Sequence, residues 1–416
     1  MATATTTQRV PFTASQKKIL TALASAVGMR MLGLFLVLPV FTLYGLEFTS
    51  SRFLTGFAFG CYGLAMAMTE FPLGRLSDRL GRRKVLILGM AVFSLGSFLC
   101  AIPAWFPKPL QISELIVGRL VQGIGAITST AFATVSDHIQ PERRSTAMAV
   151  LGIPIGASFI LGVVLGPIVA GRFGTESLFW LTGLLGLTTV WLLFRYLPDL
   201  PPQSAAPTSI RSVLTHTTIL RLDVCGFLMN TFMAAFWFTF PLIATGEHHL
   251  KMNQYYTILI PMLLVSAVTM FAFSWGADRG RGRQLAATAF FILILSALLL
   301  FRPQTAGLDP THLMALFVPG TLFLVGFTAL EPILPSLVSK SAPEGAYGTA
   351  LGSFHTLQYL GSAAGGATAG ALAHLPSGGI MTALMFASLA GFLLMLSLSS
   401  RGYSEAGVQT GQAHKR

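Results

Sequence analysis

Three charged residues sit where an apolar chain can least accommodate them. Arg30, Arg119 and Glu331 each lie deep in a long hydrophobic run, and ionisable groups in such runs tend to mark substrate paths or proton relays. At the helical rise, Arg30 is ~18 Å beyond Lys18 and Glu331 is ~13 Å before Lys340, so both can face a central cavity. A carboxyl group whose surroundings alternate between wet and dry can take up and release a proton. Glu331 is therefore a coupling candidate, with Arg30 and Arg119 beside it. The alternative for Glu331 is a carboxylate held permanently by a cation, or one capping the kink that Pro332 and Pro335 produce. A denser feature is the run GRLSDRLGRRK from Gly74 to Lys84, which holds one carboxylate, five cations and two glycines. It reads as a tight turn at a membrane surface, and its cations would anchor that turn on one side. An anchor alone needs neither Asp78 nor the glycines. Glu70, one turn earlier, reads as interfacial.

The elements that carry these residues must be membrane helices. Of the 416 residues, 53% are hydrophobic and 10% charged, far below the roughly 25% charged of a soluble domain. Apolar runs of about 20 residues are long enough to cross a bilayer, and twelve can be read: 18–44, 53–73, 85–103, 111–136, 146–171, 177–197, 219–245, 255–277, 285–301, 313–339, 346–373 and 379–400. An even count puts both termini on one side. Twenty Lys and Arg, from Arg9 to Arg416, fall on that side, and five on the other: Arg52, Lys108, Arg172, Lys251 and Arg302. Cytoplasmic loops keep the excess, so both termini are expected in the cytoplasm. The net charge of +12 is spread between apolar runs rather than gathered on one face, which argues against a nucleic-acid partner. The polar first sixteen residues read as a cytoplasmic tail rather than a removable signal peptide.

The chain divides in two. A stretch from Pro198 to His216 with four prolines opposes helix continuation. The expected units are a tail (1–17), a six-helix bundle (18–197), a linker (198–218), a second six-helix bundle (219–400) and a tail (401–416). The halves repeat: Asp78-Arg79 recurs as Asp278-Arg279, and Pro141-Glu142 as Pro343-Glu344. Such repeats characterise secondary transporters, which hold substrate near the bilayer midplane.

The Gly74–Lys84 run meets every defined position of G-x-x-x-D-R-x-G-R-R-K and resembles the signature of the major facilitator superfamily. The resemblance implies that fold, all-α with twelve transmembrane helices in two pseudo-symmetric bundles. It also implies a cytoplasmic gate formed by Gly74, Asp78, Arg79, Gly81, Arg82 and Arg83, with Asp137 of the fourth helix as partner to its arginine. In the second copy Gly74 is answered by Ser274 and Gly81 by Arg281, so a weaker gate is expected there. Arg119 to Gly125 is similar to the family's R-x-x-x-G-x-G, whose arginine is linked to proton coupling. Gly162, Gly166, Pro167 and Gly171 fit G-x-x-x-G-P-x-x-x-G, which marks antiporters, although small residues also serve helix packing. Arg30 to Phe35 with Leu38-Pro39 resembles the first helix of drug:proton antiporters, most closely their YajR-type branch. Members of that branch can append a soluble domain, for which the 16 residues after Ser400 are too few.

Further candidates line an expected cavity. Phe236 and Trp237 would stack on an aromatic substrate, or else pack against lipid; His355, Gln358 and Tyr359 would face the cavity from the eleventh helix. The histidines and the three cysteines show no metal-ligand spacing, so no metal or cofactor is expected. No lysine follows a glycine as a phosphate-binding loop requires, and neither H-E-x-x-H nor G-x-S-x-G occurs, which disfavours a pump and an enzyme. The expectation is a monomeric, proton-coupled exporter of drug-like or amphipathic small molecules in a bacterial inner membrane. A metabolite or siderophore transporter, working by symport, is the alternative.

Overall fold

The computed structural model describes residues 12–125, 127–199, 213, 215–302, 305, 307–309, 312–342, 346–374 and 378–398. Most of both tails, linker residues 200–212 and the Pro343-Glu344 repeat lie outside them. In lipid every backbone N–H and C=O must be satisfied within its own segment, which leaves helices as the solution for runs this apolar. Among the described residues there are fourteen α-helices and no strand: α1 (Ala14–Val37), α2 (Phe41–Phe48), α3 (Arg52–Leu80), α4 (Arg82–Ala101), α5 (Lys108–Ile124), α6 (Thr128–His138), α7 (Pro141–Phe173), α8 (Glu176–Tyr196), α9 (Thr217–Gly246), α10 (Tyr256–Gly276), α11 (Gly282–Phe301), α12 (Met314–Ser341), α13 (Tyr347–Leu372) and α14 (Gly378–Ser397).

These helices supply all twelve spans, two of which are broken. The first span is α1 plus α2, interrupted around Pro39, whose ring clashes with the preceding turn and which has no N–H to offer. The fourth is α5 plus α6, interrupted between Ile124 and Thr128. There Gly125 lies against α4, so close that a Cβ would sit 2.6 Å from Phe93 Cβ. The second span is longer than its apolar run: α3 stays helical through Gly74–Leu80 and turns only at Gly81, with φ +94°. Most of the expected loop is thus helix, and the turn itself occupies one residue that must be glycine.

The repeat appears in the packing. In the first half α1 packs on α7 and α8, and α4 on α5 and α8; in the second, α9 packs on α13 and α14, and α11 on α12 and α14. Between the halves, α3 and α13 come into backbone contact. A Cβ on Gly60 would be 2.6 Å from Ala363 O, and one on Gly63 2.7 Å from Tyr359 O. Arg52 Nη1 donates to Ala373 O at 2.6 Å, and Gly171 of α7 lies against Asn253. The contacts of Arg52 and Gly171 fall on the face opposite the Gly74–Lys84 run, and those of Gly60 and Gly63 run from it toward the middle of α3. Toward the basic face, Gly74, Gly152, Gly156, Gly348 and Gly352 have nothing near a Cβ position. The halves are closed at the far face and apart at the basic one.

Candidate functional site

At the basic face the sequence sets cations just beyond a helix end, and the turn at Gly81 folds them back. Arg82, 6% exposed, reaches Asp78 Oδ1 at 2.6 Å and Asp137 Oδ2 at 2.9 Å, and also donates to Ser77 Oγ. It thereby ties α3, α4 and α6 together. This network is complete while the halves stand apart, so its formation does not wait for them to close, as a gate assembled between bundles would require. Arg79 is exposed. Arg83 Nη1 pairs with Asp199 at 2.7 Å and Nη2 donates to Phe194 O at the end of α8.

The second copy keeps part of this. Arg283 donates to Leu398 O beyond α14, as Arg83 does at the end of α8. Gly280 takes φ +85° and supplies the left-handed turn one residue early, so the loss of a glycine at position 281 did not remove the turn. Gly282 stands where Arg82 stands in the first half, and among the described residues Asp278 has no ion pair. The three-helix tie belongs to the first half.

Deep in the first bundle, α1, α3 and the broken fourth span converge. Arg30 is 1% exposed; Nη2 donates to Tyr62 OH at 2.8 Å and Nη1 to Thr128 Oγ1 at 3.2 Å. Glu70, expected at the interface, is instead buried: its Oε1 accepts from the Ser129 backbone N–H at 2.9 Å, at the start of α6. Arg119 donates to Gln122 Oε1 at 2.6 Å and lies 4.5 Å above the Tyr62 ring. Burying a cation costs energy unless it is hydrogen-bonded or paired; for both arginines hydroxyl, amide and ring partners share that work.

Tyr359 of α13 packs against the same region, its backbone carbonyl on Gly63 of α3 and its side chain against the apolar cluster that includes Tyr62. His355 Nδ1 is 2.8 Å from Gln358 Oε1, and its ring stacks on Tyr359. The structure therefore brings the three α13 candidates together, with Tyr359 against the first bundle and Gln358 against Gly226 of α9. Phe236 and Trp237 are buried instead, at 1% and 0% exposure, in an aromatic stack where Phe236 lies 3.7 Å from Phe323. They face neither lipid nor an open cavity here. The stack continues through Phe327 to Phe159 of α7, at 6.3 Å across the two halves. Glu331 is one turn from Phe327, exposed, and without an ion pair among the described residues. The permanently paired carboxylate is not what is seen.

The glycine run of α7 is used at three positions. Gly162 and Gly166 press on Phe35 and Leu36 of α1, and Gly171 on Asn253 of the second half. Sequence reasoning missed Asp223 of α9, 1% exposed, whose Oδ2 accepts from Ser353 Oγ of α13 at 2.5 Å. Its signal was available, since any acid inside an apolar run is informative.

Two pseudo-repeated helical bundles, closed at one face and holding buried charge, are the architecture of a membrane transporter. The chain belongs to the Major Facilitator Superfamily, whose family model matches residues 23–366. It is 31% identical over 366 residues to the inner membrane transport protein YajR of Escherichia coli K12, covering 86% of this chain and 78% of that one. It is 30% identical to the 3-(3-hydroxy-phenyl)propionate transporter of the same strain, over 77% of this chain and 80% of the relative. Multidrug resistance protein MdtL of Escherichia fergusonii is 27% identical, over 65% and 68%.

Proposed function

We propose that this protein exports drug-like or amphipathic small molecules in exchange for protons, by alternating access, as a monomer in a bacterial inner membrane. The basic face, with both termini, is the cytoplasmic one on the charge bias of the loops. The observation that carries the antiport reading is the Gly162–Gly171 run: it seats α7 on α1 and meets the second half at the far face, where the two bundles must part to open outward. Glu331 is the leading coupling group, and Arg30 and Arg119 hold the polar interior of the first bundle. A second reading, uptake of a metabolite by symport, draws on the kinship to the hydroxyphenylpropionate transporter. Proteoliposomes loaded with a compound panel decide between them: an inward proton gradient should drive export, and accumulation would favour symport.

In this reading Arg82 and its partners stiffen the cytoplasmic end of the first bundle as a gate element. Asp78→Asn should fold and insert, because Arg82 keeps Asp137 and Ser77. Transport should slow roughly two- to fivefold, the scale of a partly exposed ion pair. Asp278→Asn should change little. Equal slowing by both would overturn the asymmetric gate.

A further inference from the structure

The broken fourth span leaves a helix N-terminus near the middle of the membrane, and the groups around it are under-used. The first N–H groups of a helix lack intrahelical partners and carry positive partial charge, and half-helices in transporters use such ends to hold anionic substrate groups. Here the end of α6 is taken by a side chain of the protein itself, the Glu70 carboxylate on Ser129 N. Its other oxygen, Oε2, is buried with no partner, as are Arg30 Nε, Ser129 Oγ and Thr130 Oγ1. Glu70 and Arg30 are 3% and 1% exposed, and both aim at the first turn of α6. One buried cation, Arg30, reaches the residue next to the one this acid holds, Thr128 beside Ser129; Tyr62 lies on the same guanidinium, and Arg119 sits beyond it over the Tyr62 ring. The donors outnumber what Glu70 uses, and rings of Tyr62 and Phe93 lie beside the guanidinium groups.

We infer that the break between α5 and α6 is a seat for the carboxylate of an aromatic, amphipathic organic anion, and that Glu70 holds the seat while it is empty. The ligand carboxylate takes the α6 N–H groups and pairs with Arg30, while Glu70, already bonded through one oxygen only, swings away. Tyr359 links this event to the second bundle, because its backbone carbonyl lies against Gly63 of α3, one residue from the Tyr62 that Arg30 holds. The inference rests on the export reading and narrows its substrate class.

The test is calorimetric titration of the full-length protein in nanodiscs with 3-phenylpropionate and with its neutral amide. The wild type should bind the acid about tenfold more tightly than the amide, the scale of one charge-assisted hydrogen bond. Glu70→Gln, which keeps an acceptor for Ser129 N but not the charge, should bind the acid several-fold more tightly still and leave the amide unchanged. Arg30→Gln should abolish the preference and Arg30→Lys restore part of it. A residue that merely caps α6 would do none of this: its replacement would lower thermal stability alone. Equal binding of acid and amide, binding of neither, or an acid affinity that Glu70→Gln leaves unchanged or weakens would each overturn the seat. Should Arg30→Gln not fold, the Glu70→Gln comparison still decides. The export reading is judged separately. If proteoliposomes expel neutral or cationic compounds and no acid preference exists, only the seat fails; if the acid binds as described and an inward proton gradient accumulates it, only export fails.

Discussion

Gly166→Val should fail to accumulate as a folded, monodisperse protein, whereas Gly156→Val should purify normally. Both glycines lie on α7. A Cβ at 166 would run into Leu36 O of α1, a backbone atom that cannot rotate away, whereas nothing lies near one at 156. Overpacking typically costs about 1–3 kcal/mol and can cost more, and valine adds further bulk against an unyielding main chain. Alanine at 166 should give an intermediate loss. Thermal unfolding of the detergent-solubilised variants, followed by size-exclusion profile, checks the order; a Gly166→Val protein as stable as wild type would mean that α1 and α7 are not in contact there.

Glu331→Gln should bind substrate and exchange it across the membrane but lose gradient-driven export. The amide keeps the shape of the side chain and cannot release a proton. Phe327, one turn away, meets Phe159 of the first bundle, and residues four apart share a helix face, so Glu331 looks toward the space between the halves. Counterflow, which needs no net proton movement, should survive. Export by Glu331→Gln at the wild-type rate would move the coupling role elsewhere, and Arg30 and Arg119 would be examined next.

The twelve spans were legible because lipid imposes one rule on every crossing segment, a run long and apolar enough to satisfy its own backbone. The breaks were less so. Pro39 announces the first, but Gly125 resembles the many glycines of this chain, and nothing in its spacing marks a helix end. Glu70 was misplaced for a related reason. Distance along its own helix suggested an interface, while its partner, Ser129, is contributed by another helix 59 residues on. In the second copy of the Gly74–Lys84 run, position-by-position comparison found a glycine missing, yet Gly280 performs the same turn one residue earlier. Phe236 and Trp237 looked like a substrate platform because aromatic spacing cannot tell a cavity wall from a packed stack. The repeat itself was readable from a few residues and reappears in physical form, with Arg83 and Arg283 each tying the start of one helix to the end of another.

In the proposed cycle the two bundles alternate, the far face opening as the basic face closes, under the control of protons. It is tested most directly by paired spin-label distances in nanodiscs over a pH titration. Lys84 with Gln284 would report the basic face, and Ser50 with His374 the far face; all four are exposed. The two distances should change with pH in opposite directions, and Glu331→Gln should remove the change. Distances that move together, or that do not respond to pH in the wild type, would contradict it.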